Sequence, residues 1–468
     1  MIVSTSHYAR IGQTIVLIYA FFAILYTTHH LFLSPLRACL SMMLDLSPTG
    51  HPNSSSVSNI LNSFKRPNYI NSESQASAHF WDLHTTRSNQ SSWLAEIQSE
   101  LILSKAFANS MHPSKIVPFF YRASENIDTE DITVTTLITS NRFPVFARLV
   151  EQYRGMSTFY SVSDAFPSLF LGPISVAIHV NNNSSDYHAL LDSIHALYTS
   201  TPNMARFVDV HLIMDPFDRQ FNTWRNIARL FARTDFVMML DIDFAICTDF
   251  RSAIRANRVV MDKLREGHSA FVIPAFEYVK AEQGSNNLNF PTDKTSLVSA
   301  VKDGHLDMFH ASWEVGHNST DYPRYYAAPP GEVYKVTRYQ AAYEPYIVFK
   351  KEGPPWCDER FVGYGGNKAA CLFEMYLSGI SYYVLSDHFI VHQNHLYEEK
   401  IRKDERKFNK KIYADFKEET CLRYFKNYYD LGILNTPRGH NVQKECAKLR
   451  GFPQLAQQVS PTSSFSTW

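Results

Sequence analysis

The sequence predicts an α/β domain with a largely parallel sheet, preceded by one N-terminal transmembrane helix. Three observations carry this. Short β-branched runs, Ile132–Thr139, Ser175–Val180 and Asp209–Met214, read as buried strands. Helical periods lie between them, such as Phe146, Leu149, Val150 and Tyr153, and strands alternating with helices build parallel sheets. Finally, Ile11 to Leu33 holds no charged residue, and 23 helical residues span roughly 34 Å, enough for a bilayer core.

Composition supports a large core and removes several classes of function. The 468 residues are 45% hydrophobic, with 33 Phe and 26 Tyr, which excludes a disordered, collagenous or coiled-coil chain. Lys+Arg 45 balances Asp+Glu 45, so the excess positive charge that nucleic-acid binding rests on is missing. Six scattered cysteines, none in a CxxC pair, suit neither a disulfide scaffold nor a structural zinc site, although their even number permits disulfides.

Along the chain, residues 1–10 read as a cytosolic tail and 11–33 as a transmembrane signal anchor; a cleaved signal peptide and a buried core helix are the alternatives. Residues 34–126 are rich in Ser, Asn, His and Pro and read as a luminal stem, with a short apolar helix near Trp93–Phe107. Asn-x-Ser/Thr glycosylation triplets at Asn53, Asn89, Asn182, Asn183 and Asn318 fit a chain facing the secretory lumen. Residues 127–438 form the main domain, and 439–468 a polar tail.

Three segments carry chemistry. In Asn222–Phe250, Trp224, Ile227, Ala228 and Phe231 share one helical face, Thr234-Asp235 breaks the helix, and FVMML (Phe236–Leu240) is a buried strand. It ends in Asp241-Ile242-Asp243. Alternate strand residues share a face, so both carboxylates are presented at a strand's carboxyl end, where open α/β sheets bind ligands. Such a pair suits a hard divalent cation, Mn²⁺ or Mg²⁺. A solvated acidic loop is the plain alternative, and the apolar strand in front weighs against it, because burying carboxylates without compensation is costly. In Ser381–His395, two apolar runs end in His392 and His395, ligands that favour Mn²⁺ over Ca²⁺; core or surface histidines are the other reading. In Glu344–Leu377, Gly363-Tyr364-Gly365-Gly366 permits close backbone approach and opens a helix from Ala369 whose free N–H groups could face an anion, or it is a tight structural turn.

These pieces, in order, resemble glycosyltransferase family 49, the LARGE-type and β-1,4-glucuronyltransferase domain. The resemblance covers roughly Asp131 to Tyr428 and rests on VTTLIT, GPIS (Gly172–Ser175), RNIA (Arg225–Ala228), LDIDF (Leu240–Phe244), VIPAFE (Val272–Glu277), Gly316-His317, YEPYIV (Tyr343–Val348), RFVGYGGNK (Arg360–Lys368) and VHQNH (Val391–His395). It implies a GT-A glycosyltransferase fold, a type II membrane protein of the Golgi or endoplasmic reticulum, a UDP-sugar donor and Mn²⁺, with Mg²⁺ as the alternative. Asp241 and Asp243, the DXD pair, match the metal- and diphosphate-binding position, and His392 the third metal ligand, with His395 as the alternative. Arg225 and Asn226 match the helix facing the nucleotide, Thr136 and Leu137 the strand meeting uridine. Gly365, Gly366, Asn367 and Lys368 fall at the donor, with Gly366 standing where LARGE-type members have Trp.

The resemblance implies inversion at the sugar's anomeric carbon when glucuronic acid is transferred, which needs a carboxylate base. Asp358, Glu344 and Glu374 match acidic positions and stay unranked. Lys368 suits a donor carboxylate or a phosphate. Glu277 and His317 fall at the acceptor. The expected function is Mn²⁺-dependent transfer of a sugar, glucuronic acid leading, from a UDP-sugar to a glycan or glycoprotein acceptor. Transfer of a hexose or N-acetylhexosamine, or a membrane-anchored carbohydrate-binding protein without catalysis, are the alternatives.

Overall fold

A computed structural model describes residues 114–456 except 140–141, 143–144, 147–171, 201, 287–288, 396–398, 453 and 455. The expected anchor, Asn53, Asn89, the Trp93–Phe107 helix and most of the helical period from Phe146 to Tyr153 lie outside the described residues. Among the described residues, no helix is long and apolar enough to cross a membrane.

The strands are β1 (Lys115–Tyr121), β2 (Ile132–Ile138), β3 (Ile174–Asn181), β4 (Val208–Asp215), β5 (Phe236–Met239), β6 (Phe244–Ile246), β7 (Ser269–Ile273), β8 (Ala275–Tyr278), β9 (Leu306–Met308), β10 (Val333–Lys335), β11 (Tyr346–Lys350), β12 (Ser381–Leu385) and β13 (Ile390–His392). The helices are α1 (Tyr187–Ser200), α2 (Pro202–Phe207), α3 (Phe221–Leu230), α4 (Phe250–Ala256), α5 (Arg258–Glu266), α6 (Lys294–Lys302), α7 (Tyr322–Ala327), α8 (Asn367–Leu377), α9 (Glu399–Asp430) and α10 (His440–Cys446). A nine-stranded sheet runs β1-β4-β3-β2-β5-β11-β7-β12-β10, and a four-stranded one β6-β13-β8-β9.

The large sheet is α/β but mixed, not largely parallel. Strands β4, β3, β2 and β5 run parallel, as their β-branched runs suggest. Strand β11 then enters antiparallel between β5 and β7. Its reversal has a direct consequence. With Ile347 opposite Met239, the start of β11 lies at the carboxyl end of β5, so Tyr346 and Glu344 arrive beside Asp241. Nothing in the composition of YIVFK distinguishes the two directions, because direction depends on the connection and not on side-chain type.

Strand alternation divides two cores. Phe236, Met238 and Leu240 of the β5 segment pack into one, with Tyr346 and Val348 of β11. Val237 and Met239 pack into the other, with Ile347 and Phe349. Helix α3 lies on β2–β4 through Trp224, Ile227 and Ala228, which meet Leu137, Ala177 and Ile213. Phe231 caps that helix instead of continuing it.

The fold extends past both expected domain boundaries. Strand β1, within the expected stem, pairs with β4. Helix α10, within the expected tail, buries Val442 and Cys446, and Cys446 is disulfide-bonded to Cys421 of α9. Its polar outer positions, Gln443 and Lys444, hide in composition what a short amphipathic helix buries. The charged helix α9 works alike, burying Phe416, Cys421, Tyr424, Phe425 and Tyr428 along one stripe.

A buried histidine ties these layers together. Phe119 N–H donates to His211 Nδ1 at 2.9 Å, His211 Nε2 lies 3.1 Å from Ser175 Oγ, and Ser175 Oγ donates to the Ala228 carbonyl at 2.6 Å. This chain of donors requires the neutral ring with its proton on Nε2. Burial pushes the His211 imidazole down to about 4. A histidine that refuses its proton when folded keeps its stability contribution above the unfolded value of about 6.5 and loses it as pH falls from there toward 4. Urea midpoints should therefore drop between pH 7 and pH 5, with His211 accounting for about 2 kcal/mol. His211→Gln should show a shallower fall, and an unchanged slope would remove the residue from the pH response.

Candidate active site

The site forms where β5 ends. Just beyond the last strand residue, Met239, Leu240 and Ile242 turn into the core and Asp241 and Asp243 are left half-buried. The two carboxylates then go to different partners.

Asp241 sits in a cationic nest. Its Oδ2 accepts from Lys368 Nζ at 3.0 Å and the Tyr346 hydroxyl at 2.9 Å, and its Oδ1 from Arg225 Nη2 at 3.2 Å. The Lys368 ammonium also lies 3.9 Å from the centre of the Tyr346 ring. Burial alone would raise the Asp241 carboxyl, but the Lys368 and Arg225 charges outweigh it and hold the group far below the usual carboxylate range.

The helix that supplies Arg225 explains why the nest is rigid. Trp224, Ile227 and Ala228 of α3 face the sheet, while Asn222, Arg225, Asn226 and Arg229 fall on the other side at helical spacing. That polar face holds the loop 351–367. Asn222 Nδ2 donates to the carbonyls of Asp358 and Asn367, and Asn226 exchanges hydrogen bonds with the backbone of Cys357. Arg229, which the sequence reading did not select, donates to the carbonyls of Lys351, Pro354 and Pro355. Arg225 Nη1 reaches Asn367 Oδ1 at 2.7 Å. A disulfide joins Cys357 in this loop to Cys371 of α8, whose first turn carries Lys368. Asn226 thus secures the loop.

The glycine turn is packed against protein. Gly363 and Gly365 have φ of 78° and 96°, and a Cβ on Gly365 would lie 2.9 Å from Arg406 Cα. The close approach expected of a ligand is here made by helix α9. Glu405 of that helix accepts from the Tyr364 N–H at 2.9 Å. Gly366, with φ of 71°, caps α8, which begins at Asn367, two residues earlier than read from the sequence.

Asp243 belongs to a second group. Ligand atoms of Asp243, His392 and His395 all lie within 4.8 Å of one another. Asp243 Oδ2 is 3.1 Å from His395 Nε2, whereas its buried Oδ1 has no hydrogen-bond partner among the described residues. Burial pushes the His392 imidazole down to about 4, leaving it neutral and able to donate a lone pair. One carboxylate and two imidazoles suit Mn²⁺. The grouping differs from the expected Asp241, Asp243 and His392, because Asp241 is already surrounded by cations. Arg142, missed in the sequence, lies 2.9 Å from His395 Nδ1 and 3.9 Å from Asp243 Oδ1. Its only sequence signal is its place just beyond the end of β2.

Of the three carboxylates matched to a base, only Glu344 joins the nest. It accepts from the Ala369 N–H at 3.2 Å, and burial raises its carboxyl against the pull of Lys368 and Arg225. Asp358 is buried and paired with Arg360 at 2.7 Å, and Glu374 is fully buried against Arg423 at 3.3 Å. Glu277 stands in register with His392 on the neighbouring strand and accepts from the His310 N–H at 2.9 Å. His317 is buried, its ring edge-on to Phe309. Thr136 and Leu137 point to opposite faces of β2: Leu137 packs with Trp224, and the buried Thr136 Oγ1 has no partner among the described residues. Asn182, Asn183 and Asn318 are exposed.

An α/β fold that gathers a cation-held carboxylate and a carboxylate–histidine group at one strand end is the setting in which known proteins become informative. Residues 215–425 match the family described as "Glycosyl-transferase for dystroglycan". This match bears out the resemblance to LARGE-type members. The mouse xylosyl- and glucuronyltransferase LARGE2 is 31% identical over 227 residues, 48% of this chain and 31% of that protein. Zebrafish LARGE1, described in the same words, is 25% identical over 290 residues, 61% of this chain and 34% of that protein. The chain thus spans about a third of the length of these curated relatives. Among solved structures, GalNAc-T7 with UDP, GalNAc and Mn²⁺ aligns at a TM-score of 0.35 with 11% identity, covering 57% of this chain and 44% of that chain.

The two carboxylates should separate experimentally. In a Mn²⁺ titration followed by the paramagnetic resonance of free ion, Asp243→Asn and His395→Ala should each weaken binding by about tenfold or more. Asp241→Asn should leave Mn²⁺ affinity near wild type but lower urea stability by about 1–3 kcal/mol, because Lys368 and Arg225 lose their counter-charge. Equal weakening of Mn²⁺ binding by all three would return Asp241 to the ligand set.

Proposed function

We propose that the protein is a divalent-metal-dependent glycosyltransferase of GT-A type, moving a sugar, with glucuronic acid the leading candidate, from a UDP-sugar to a glycan acceptor with inversion. The observation that carries this reading is the meeting of the Asp241 nest and the Asp243–His392–His395 group at the end of β5. The Oδ1 of Asp243, which has no hydrogen-bond partner among the described residues, and the neutral His392 fit Mn²⁺. When bound there, such an ion supplies positive charge to the departing diphosphate.

The protein's own groups supply the rest. Lys368 and Arg225 bring two cations to the Asp241 carboxylate. These two cations can pair with either the donor's diphosphate or a sugar carboxylate, and such charge-assisted contacts are stronger because the site is partly dry. Glu344 is the base this reading assigns, since burial raises it toward the pH at which it takes a proton and Asp358 and Glu374 are each held by an arginine. Glucuronic acid is taken from the relatives, named for xylosyl and glucuronyl transfer. A secretory-pathway location, with the chain anchored as a single-pass type II protein, is supported by the charge-free stretch at 11–33, by the exposed Asn182, Asn183 and Asn318, and by two disulfides, which persist in oxidising compartments.

A panel of UDP-sugars tested for Mn²⁺-dependent hydrolysis and transfer decides between donors. UDP-glucuronate should be used, and exclusive use of UDP-glucose or UDP-N-acetylglucosamine would move the assignment to a hexosyl or N-acetylhexosaminyl transferase. Lys368→Met should cost glucuronate transfer at least about 2 kcal/mol more than glucose transfer if the ammonium meets the sugar carboxylate. Equal losses would put Lys368 on the phosphates. Glu344→Gln keeps an acceptor for the Ala369 N–H but cannot take a proton, so transfer should fall by about 10²-fold or more with donor binding retained.

A further inference from the structure

The loop after β9 is fastened to the site at both ends. At its start, Phe309 packs edge-on against Phe244 at 4.9 Å and lies 4.9 Å from the His392 ring. The next residue, His310, adopts a left-handed backbone with φ of 55°, stacks on Phe309 at 3.9 Å and donates its N–H to Glu277. At its end, the Gly316 carbonyl accepts from the Glu344 N–H at 2.8 Å. Between these anchors Trp313 is 49% exposed and Val315 41%.

The indole is exposed yet positioned. A Cβ on Gly316 would come within 2.9 Å of Trp313 Cε3 and Cζ3. Gly316 is not among the residues with positive φ, so its bareness serves space and not backbone conformation. The benzo edge of the ring therefore occupies the space a side chain at Gly316 would fill, on a loop that also touches the metal group and the proposed base. A single exposed apolar side chain is ordinary on a protein surface. One seated on a cleared glycine, between Glu277 and Glu344, is a built feature.

We infer that Trp313 is the platform on which a pyranose ring of the acceptor glycan lies, its C–H face on the indole and its hydroxyls toward Glu277. This rests on the glycosyltransferase reading and names the acceptor side of that site. The chemistry is the pairing of an apolar sugar face with an aromatic plane, while polar groups at the edge fix orientation.

The test uses protein labelled with 5-fluorotryptophan, the Trp313 line being identified by its disappearance in Trp313→Phe. Methyl β-xylopyranoside should shift that line and leave the others in place, whereas sorbitol, which has no ring, should not. In transfer assays Trp313→Ala should raise the acceptor KM by about tenfold without moving the donor KM, and Trp313→Phe should restore most of it. A Trp313 line unmoved by the xyloside, or an acceptor KM unchanged in Trp313→Ala, overturns the inference. Failure of the wild-type protein to hydrolyse any UDP-sugar would sink the glycosyltransferase reading instead, and the fluorine spectrum still decides the platform.

Discussion

The structure around the site depends on the ion network of Asp241, Lys368 and Arg225. Two cations and a carboxylate are withdrawn from water together, and the arrangement is tolerable only because every member has a partner. The Tyr346 hydroxyl completes the shell of Asp241, and Asn367 that of Arg225. These five residues come from four segments, Asn367 and Lys368 sharing α8. The network therefore joins β5, α3, β11 and α8, and their relative positions are set by the demand that no charge be left alone.

Much of the surrounding architecture reads as support for that demand. Helix α3 presents apolar residues to the sheet and amide or guanidinium groups to the loop 351–367, so one helix serves as both packing element and clamp. The Cys357–Cys371 bond binds the same loop to the helix that bears Lys368. Helix α9 presses on the glycine turn so closely that only glycine fits at Gly365. Rigidity of this kind suits a site in which charges must be placed before a ligand arrives, because preorganised dipoles need no rearrangement during reaction.

The separation of the two acidic residues also has a physical origin. They share a face of the chain, but Asp241 is enclosed by groups from β11 and α8, and Asp243 by groups from β13 and the segment after it. A carboxylate already neutralised by two cations is a poor metal ligand, whereas one with an oxygen that accepts no hydrogen bond, beside imidazole nitrogens, is a better one. The motif is thus two half-sites with different electrostatics joined by one residue, Ile242, whose burial holds them apart.

The sequence by itself determined the parts that depend on local pattern. Alternation and β-branching marked β2 to β5, helical spacing marked α3, and the apolar run before Asp241 marked the strand end where the candidate site forms; the ordered motifs carried the resemblance to the family that residues 215–425 match. Asp241, Asp243, Arg225, Lys368 and His392 were legible for that reason. What only the tertiary structure decided were relations between distant segments: the antiparallel entry of β11 that delivers Tyr346 and Glu344, the division of Asp241 from Asp243, and the approach of Arg142 to His395. It also decided that α9, not a ligand, crowds the glycine turn, that Arg360 and Arg423 hold Asp358 and Glu374, and that α10 belongs to the core. Local pattern records which face of an element is apolar; it holds no record of which other element, tens or hundreds of residues away, will meet that face, and the pairing of charges follows from that meeting.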